Sequence, residues 1–368
     1  MKMTRLAAVL AVTAAVGTMS AGVAPGASAA TRKCDTRALQ QSLDQIVKAG
    51  GTPGILAAVS SPACGRVSLG SGVADIGTGR RMRGDERIRM GSVTKSFTAT
   101  VVLQLVAEGK IKLDAPLTRY LPNEKITVRD LLRHTSGLGD YTSSEEIDAE
   151  RDRFKHFEPD ELFKIGLRMP RSDKPWNYST TNYALLAMIV KRATGNDVGT
   201  EITRRIIRPL KLTRTWWPGD DPRIPGRHAR GYVYSEGKRY DTTKWNMTYG
   251  GAGGALVSTT SDLNRYWAAL LRGRLLPAAQ LKEMRKTVPA DPARMWPGAH
   301  SGLGLYETKL KHCAGTWIGH GGGFNGYRTI AASSPDGRRQ VTLVINRHPN
   351  EITPRLLDLA DATLCTLR

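Results

Sequence analysis

The 368-residue sequence lacks the signatures of the commoner hydrolytic and nucleotide-using enzymes, and each absence narrows its chemistry. No Gly-x-Ser-x-Gly occurs, which disfavours a serine on the strained strand-to-helix turn of a nucleophile elbow. No His-Glu-x-x-His occurs, and the four cysteines lack the short spacing of a zinc site, so no metal is expected. A Walker phosphate loop is absent as well. Gly321-x-Gly323-x-x-Gly326 has the spacing of a dinucleotide fingerprint, but it runs into the strand-like Tyr327 to Ala331 instead of a helix, and no cofactor is expected from it. Beyond the N-terminus no apolar run is long enough to cross a bilayer, and there is no internal repeat or low-complexity tract.

Acidic residues are also scarce, 33 against 54 Lys and Arg, giving a formal charge of +21. The basic residues are spread along the whole chain without a nucleic-acid-binding signature, so nucleic acid is not an expected partner. An anionic cell-wall polymer is, because the N-terminus points to export. Lys2 and Arg5, the apolar run Leu6 to Val16 and then Ala27-Ser28-Ala29 follow the charged, apolar and small-residue order of a secretory signal. Residues 1–29 are therefore read as a signal peptide, and residues 30–368 as a secreted, extracellular protein with no membrane anchor, expected to be a monomer. Losing the signal removes two positive charges, so +21 becomes +19.

In an oxidising compartment Cys34, Cys64, Cys313 and Cys365 suggest two disulfides, with three pairings open. The helix from about Asp35 and the strand after it return Cys64 towards Cys34, and the C-terminal helix returns Cys365 towards Cys313.

Apolar residues recur at helical spacing from Thr36, and Gly50-Gly51 ends that pattern. Ile55 to Val59 and Arg66 to Ala74 read as paired strands around a Pro62/Gly65 turn, with Glu86 to Met90 as a third. A helix follows from Ser92 to about Glu108, with Phe97, Val101, Val102 and Leu105 as its apolar face. Up to Gly250 the signals are mostly helical: a short helix capped by Thr127, one opened by Pro159, and one from Thr181 to Thr194. Trp216 to Tyr249 reads as a long loop forming part of a substrate rim. Then come a helix capped by Ser261, strands at Leu303 to Thr308, Gly315 to Gly319, Tyr327 to Ser333 and Gln340 to Asn346, and a helix from Thr353 to Leu364.

Strands at both ends with helices between them predict an α+β fold. An antiparallel sheet carries the N- and C-terminal helices on one face, and a mostly helical lobe is inserted at its edge. One catalytic unit is expected, with an α/β lobe from residues 34–91 and 251–368 and a helical lobe from 92–250.

Within this frame Gly91-Ser92-Val93-Thr94-Lys95 is the stretch best suited to nucleophilic chemistry. Residues three apart on a helix face the same way, so Ser92 and Lys95 can meet at the helix start, where unpaired N–H groups favour developing negative charge. An N-capping serine and a solvent-facing lysine give the same pattern, and Ser235-Glu236-Gly237-Lys238 repeats it in a loop with no helix behind it. A Ser-Lys pair needs further polar groups facing it. Tyr178-Ser179-Thr180 before a helix and His320-Gly321-Gly322-Gly323 on a strand supply them, with His300 as the rival histidine.

Several stretches together are far more specific than any one of these motifs: Arg89 to Phe97, Leu103-Gln104-Leu105-Val106, Ile126-Thr127-Val128-Arg129 and His134-Thr135-Ser136-Gly137-Leu138. In them the chain resembles the serine penicillin-recognising family of class C β-lactamases and secreted D-alanyl-D-alanine carboxypeptidases, most of all the soluble carboxypeptidases. The resemblance implies a β-lactamase/penicillin-binding-protein-like fold and a Cys313–Cys365 disulfide. It implies Ser92 as the acylated nucleophile, Lys95 and Tyr178 as proton carriers, His320 at the Lys/His-Thr-Gly position, and the backbone N–H groups of Ser92 and Gly323 as oxyanion hole. Thr180, Gly321, Gly322, Tyr306 and Tyr249 are the expected substrate-binding positions.

Two departures stand out. Thr180 replaces the Asn of Tyr-Ser-Asn, and Gly321 replaces the Thr of His-Thr-Gly, with Tyr306 where a guanidinium is expected. The core chemistry is kept while the carboxylate anchors are lost. The expected activity is that of a D-alanyl-D-alanine carboxypeptidase or related D-peptidase on peptidoglycan peptides or other small acyl substrates, open to acylation by β-lactams. An esterase or β-lactamase on the same scaffold, and a non-catalytic wall-binding or β-lactam-sensing protein, are the alternatives.

Overall fold

The computed structural model describes residues 35–367 apart from 123, 149 and 350, so the segment expected to be a signal peptide and Cys34 lie outside the described residues. In chain order, helix α1 (Arg37–Lys48) is followed by strands β1 (Gly54–Ser61), β2 (Gly65–Asp75) and β3 (Arg80–Arg81). Strand β4 (Ile88–Arg89) leads through a 3₁₀ turn at Gly91–Val93 into helix α2 (Thr94–Ala107). The middle of the chain carries α3 (Val128–Arg133), α4 (Pro159–Arg168), α5 (Thr181–Thr194) and α6 (Val198–Ile202), then β5 (Tyr232–Ser235), β6 (Lys238–Asp241), α7 (Gly251–Gly254) and β7 (Val257–Ser258). Helices α8 (Thr260–Leu271) and α9 (Ala278–Met284) precede strands β8 (Val288–Pro289), β9 (His300–Ser301), β10 (Tyr306–Lys309), β11 (Thr316–Phe324), β12 (Tyr327–Ser333) and β13 (Gln340–Ile345). Helix α10 (Thr353–Thr366) closes the described chain.

Nine strands form one antiparallel sheet in the order β3-β2-β1-β13-β12-β11-β10-β9-β8. The strand period of two decides what each face buries. Ile55, Ala57 and Val59 stand opposite Ile345, Leu343 and Val341 in register. That face is covered by Leu39, Leu43 and Ile46 of α1 and by Leu356, Ala360 and Leu364 of α10, as expected for the first and last helices. Burying such a side chain fully contributes about 1.5–3 kcal/mol. Leu56, Ala331 and Val344 point the other way, into the larger core that holds Leu263 and Trp267 of α8. Asn264 of α8 also reaches the sheet, donating to the Ala58 carbonyl at 3.0 Å and accepting from Thr342 at 2.7 Å.

The inserted helices meet the sheet in two places instead of one edge. The Gly91–Val93 turn packs against the interior strands β11 and β12. Farther out, Gly304 N–H donates to the Leu132 carbonyl at 3.1 Å and Ser301 to the Arg133 carbonyl at 3.2 Å. Helix α2 consequently has no solvent face over most of its length: every residue from Thr94 to Leu103 is buried, not only the expected apolar stripe. Its hydroxyls are satisfied locally, Thr94 on Gly91 O, Ser96 on Gly304 O and Thr98 on Ala252 O, at 2.7–2.8 Å.

Three local expectations shift. Glu86 to Met90 gives only the two-residue β4, which pairs with β7 outside the main sheet. The helix expected to begin at Ser261 is capped by Thr259, whose side chain accepts from Asp262 N–H. The stretch Trp216 to Tyr249 contains the β5–β6 hairpin, in which Ser235 pairs with Lys238 across Glu236-Gly237. Both turn residues have positive φ, 49° and 73°, as a two-residue type I′ turn requires. The second Ser-x-x-Lys is thus a hairpin turn. Cys313 and Cys365 form a disulfide, and no described cysteine is free.

Candidate active site

Ser92 sits on the 3₁₀ turn ahead of α2, half-buried, and opens into a cleft of about 630 Å³. One helical turn on, Lys95 is fully buried, and its Nζ donates to the Gly253 carbonyl at 2.9 Å and to Ser92 Oγ at 3.3 Å. Tyr178, just before α5, donates its hydroxyl to Ser92 Oγ at 2.8 Å. The Lys95 ammonium also lies 4.9 Å from the Tyr178 ring centroid and 5.3 Å from that of Tyr183, within cation–π reach of both.

Tyr178 is held from behind by His134, a residue of the His134-Thr135-Ser136-Gly137-Leu138 stretch with no site role assigned from sequence. His134 is the left-handed C-cap of α3, with φ 64°. From there its ring stacks on Tyr178 at 4.4 Å between centroids, and Nδ1 accepts from Ser179 N–H and from the Asn182 side chain, both at 3.2 Å. With Nδ1 accepting, the ring proton is on Nε2. Burial, reinforced by the positive charge of Lys95, holds its pKa well below the usual histidine value.

Strand β11 crosses directly over the nucleophile turn. A Cβ on Gly91, whose φ is 55°, would lie 2.6 Å from the Gly323 carbonyl oxygen and 3.0 Å from its nitrogen. A Cβ on Gly322 would lie 2.0 Å from the Met90 carbonyl oxygen. Glycine is required at both positions because backbone meets backbone there. His320 lines the cleft and the exposed His300 does not. Burial pushes the His320 imidazole down to about 3, with Lys95 and Arg328 acting in the same sense against its hydrogen bond to the Gly321 carbonyl. His320 is therefore neutral near pH 7, with Nδ1 2.5 Å from that carbonyl oxygen.

The expected substrate-binding positions divide. Gly321 lines the cleft, as does Gly323, the expected oxyanion-hole residue. Gly322 does not, because strand alternation turns it towards Met90 and Val93. Tyr306 is buried within an aromatic cluster, edge-on to His320 at 5.0 Å and to Trp296 at 5.3 Å, and lies behind the cleft wall instead of in it. Thr180 is buried with its methyl turned to Gly253, 2.6 Å from where a Cβ there would be. Tyr249 packs edge-on between Tyr141 and Phe157, and no residue of the Trp216 to Tyr249 stretch lines the cleft.

The rim comes instead from residues 293–297, above all Trp296, which stacks on Trp317 and donates to Thr308 at 2.9 Å. Arg328 of β12 also lines the cleft. The sequence carried a signal for it, since it is the charged residue in the otherwise small and apolar Tyr327 to Ser333 run. Among the described residues no cluster of His, Cys, Asp and Glu could hold a metal ion.

A hydroxyl at a helix start, touched by an ammonium and a phenol and crossed by a glycine strand, is an arrangement for acyl transfer. The chain belongs to the beta-lactamase family, whose model matches residues 39–363. Among solved structures it is similar to a D-stereospecific amidohydrolase from Streptomyces sp., with 36% identity, 85% of this chain and 95% of that one covered, and a TM-score of 0.78. It is also similar to the D-amino acid amidase from Ochrobactrum anthropi SV3, with 29% identity, 90% and 99% covered, and a TM-score of 0.79. Esterase EstB from Burkholderia gladioli is 36% identical over 38% of this chain and 41% of its own length. Matches to the curated relatives span 41% to 64% of those proteins.

Proposed function

We propose that the protein is a secreted serine hydrolase that cleaves amide or ester bonds at D-amino acids through an acyl-Ser92 intermediate, as a D-peptidase or D-aminoacyl amidase. The observation that carries this reading is the convergence of Tyr178 Oη and Lys95 Nζ on Ser92 Oγ, at 2.8 and 3.3 Å, where Ser92 faces an open cleft. In the first half-reaction the Tyr178–Lys95 pair acts with one proton fewer than in the arrangement where both groups donate to Ser92 Oγ: Ser92 Oγ attacks the substrate carbonyl and its proton fills that place on the pair. The backbone N–H groups of Ser92 and Gly323 receive the oxyanion. The pair then returns the proton to the leaving amine or alkoxide as the C–N or C–O bond breaks. Water repeats the sequence on the acyl ester, releasing the acid and restoring the serine hydroxyl.

The named specificities of the Streptomyces and Ochrobactrum proteins support a D-amino-acid substrate. The neutral His320 weakens the narrower carboxypeptidase reading, because it offers no cation to a terminal carboxylate at the His-Thr-Gly position. Export and action on cell-wall peptides fit the N-terminal sequence, the disulfide and the basic charge.

Initial rates on D- and L-phenylalanine amide, a D-Ala-D-Ala tripeptide, a short acyl ester and a chromogenic cephalosporin test the proposal. Turnover of a D-amide or D-peptide at least ~10²-fold above its L-counterpart is expected. Turnover of the ester or the cephalosporin alone would favour the esterase or β-lactamase reading. Absence of turnover on all would favour a binding protein.

A further inference from the structure

Away from the active-site cleft, four arginines line a cavity of about 130 Å³ between the sheet and α8, and no carboxylate lines it with them. Two periodicities bring them together. Ser60 of β1 stands opposite Gln340 of β13 and Arg66 of β2, and opposed residues on neighbouring strands project from one face. That face is the one α8 covers, since Ser60 is in step with Leu56, which packs into the α8 core. On α8, Ser261, Arg265, Ala268 and the C-cap Arg272 recur at helical spacing, and this single stripe faces the strand row across the cavity. Ser261 Oγ meets Ser68 Oγ of β2 at 3.0 Å, which fixes the start of the stripe on the sheet. Arg274, beyond the left-handed Gly273, is the fourth arginine.

None of these guanidinium groups has a counterion. Arg265 donates to the Lys211 carbonyl at 2.7 Å and Arg272 to the Gly337 carbonyl at 2.8 Å. Among the described residues none of the four is paired with a carboxylate. The one acid on α8, Asp262, is buried and accepts from Arg214 N–H and the Thr215 hydroxyl instead. The cavity around Arg223 and Arg230 differs, because Asp221 and Asp241 line it and pair with those two arginines.

Like charges gathered around one small space repel, and an anion between them reverses the sign of that interaction. We infer that this cavity is a binding site for a phosphate group. Against the ~30 Å³ share of a water molecule, its volume admits one tetrahedral oxyanion and little else. A phosphate offers more oxygens than a carboxylate to several guanidinium forks at once, and the Ser60 hydroxyl adds a donor among them. The group can arrive as free phosphate, as a monoester, or within the phosphodiester backbone of an anionic polymer, and the last would give the expected cell-wall partner a fixed point of attachment.

Calorimetry in phosphate-free buffer at about 0.15 M NaCl tests the site, with inorganic phosphate, sn-glycerol 3-phosphate, a poly(glycerol phosphate) fragment and acetate as probes. Arg265→Gln/Arg272→Gln is expected to weaken binding of a phosphoryl probe about 10- to 100-fold, and the exposed Arg66→Gln alone about 3- to 10-fold. Arg119→Gln/Arg192→Gln, which removes as much charge from exposed positions lining a different cavity, is expected to change it less than about threefold. Unchanged urea midpoints show that the variants fold. Binding of the polymer fragment well above the small phosphates assigns the site to a phosphodiester strand; comparable binding of all three assigns it to free or monoester phosphate. Undiminished binding in both Arg66→Gln and the double variant, an equal loss in the Arg119/Arg192 pair, acetate bound as tightly as phosphate, or no binding of any phosphoryl probe overturns the proposal.

Discussion

Tyr178 can keep its hydroxyl on Ser92 only while its ring is held, and His134 is what holds it. The imidazole stacks on the phenol, and its Nδ1 fixes the next peptide through Ser179 N–H. His134 touches no reacting atom, so it is a positioning residue. His134→Ala should lower kcat by up to ~10²-fold while leaving KM within about twofold, since small displacements of a catalytic group act on the chemical step. His134→Asn, which tolerates the left-handed backbone and can accept from Ser179, should recover part of kcat. Steady-state kinetics decide: a rise in KM with kcat unchanged, or an Asn variant no better than Ala, would contradict the role. Ser92 and Lys95 were legible in the sequence because i and i+3 on one helix need no tertiary information. The charge of Arg328 stood out in its strand, but its place at the cleft was not legible, because only the β11–β12 register sets it against Gly323.

At the scale of elements, the site depends on β11 lying flush against the Gly91–Val93 turn. A methyl at Gly322 would collide with the Met90 carbonyl, a backbone atom that cannot swing away as a side chain can. Gly322→Ala should therefore cost about 1–3 kcal/mol and most of the activity. Gly323→Ala, whose Cβ would meet His348 at 2.8 Å and Arg328 at 3.3 Å, should cost less stability, because side chains can yield. Denaturant midpoints measure both, and equal midpoints would show that the close crossing is not rigid.

Elements with sequence-local stops were read to the residue. Helix α5 ends before the left-handed Gly195, and Thr127 and Asp130 complete a capping box on α3. The β5–β6 hairpin was missed because its strands are four residues long and largely exposed, leaving no buried alternation to detect. The Thr259-Thr260-Ser261 run offers three candidate caps by sequence, and Thr259, not Ser261, is the one whose side chain accepts from Asp262 N–H.

For the whole molecule, buried neutral histidines set the response to acid. Burial brings His320 down to about 3 and His348 to about 4, and moves His134 in the same direction. As pH falls below about 6.5 the unfolded chain takes up these protons before the folded one does. Their contribution to stability is thus complete above that pH and is lost as pH falls towards the folded values. Each contributes a slope of ~1.4 kcal/mol per pH unit while it titrates only in the unfolded state. His156, raised by the hydrogen bonds it donates to the carboxylates of Asp220 and Glu158, acts in the opposite sense, but it is solvent-exposed and screened. Urea midpoints should hold steady from pH 8 to 7 and fall between pH 6 and 4.5, less steeply in His348→Gln; a flat profile would contradict buried neutral rings.

The central claim concerns one covalent bond. The most direct measurement is intact-protein and peptide mass spectrometry after brief exposure to a D-phenylalanine p-nitrophenyl ester and acid quench. The account predicts a single phenylalanyl adduct on the peptide containing Ser92, absent in Ser92→Ala. Ester turnover with no adduct, or an adduct that persists in Ser92→Ala, would contradict it.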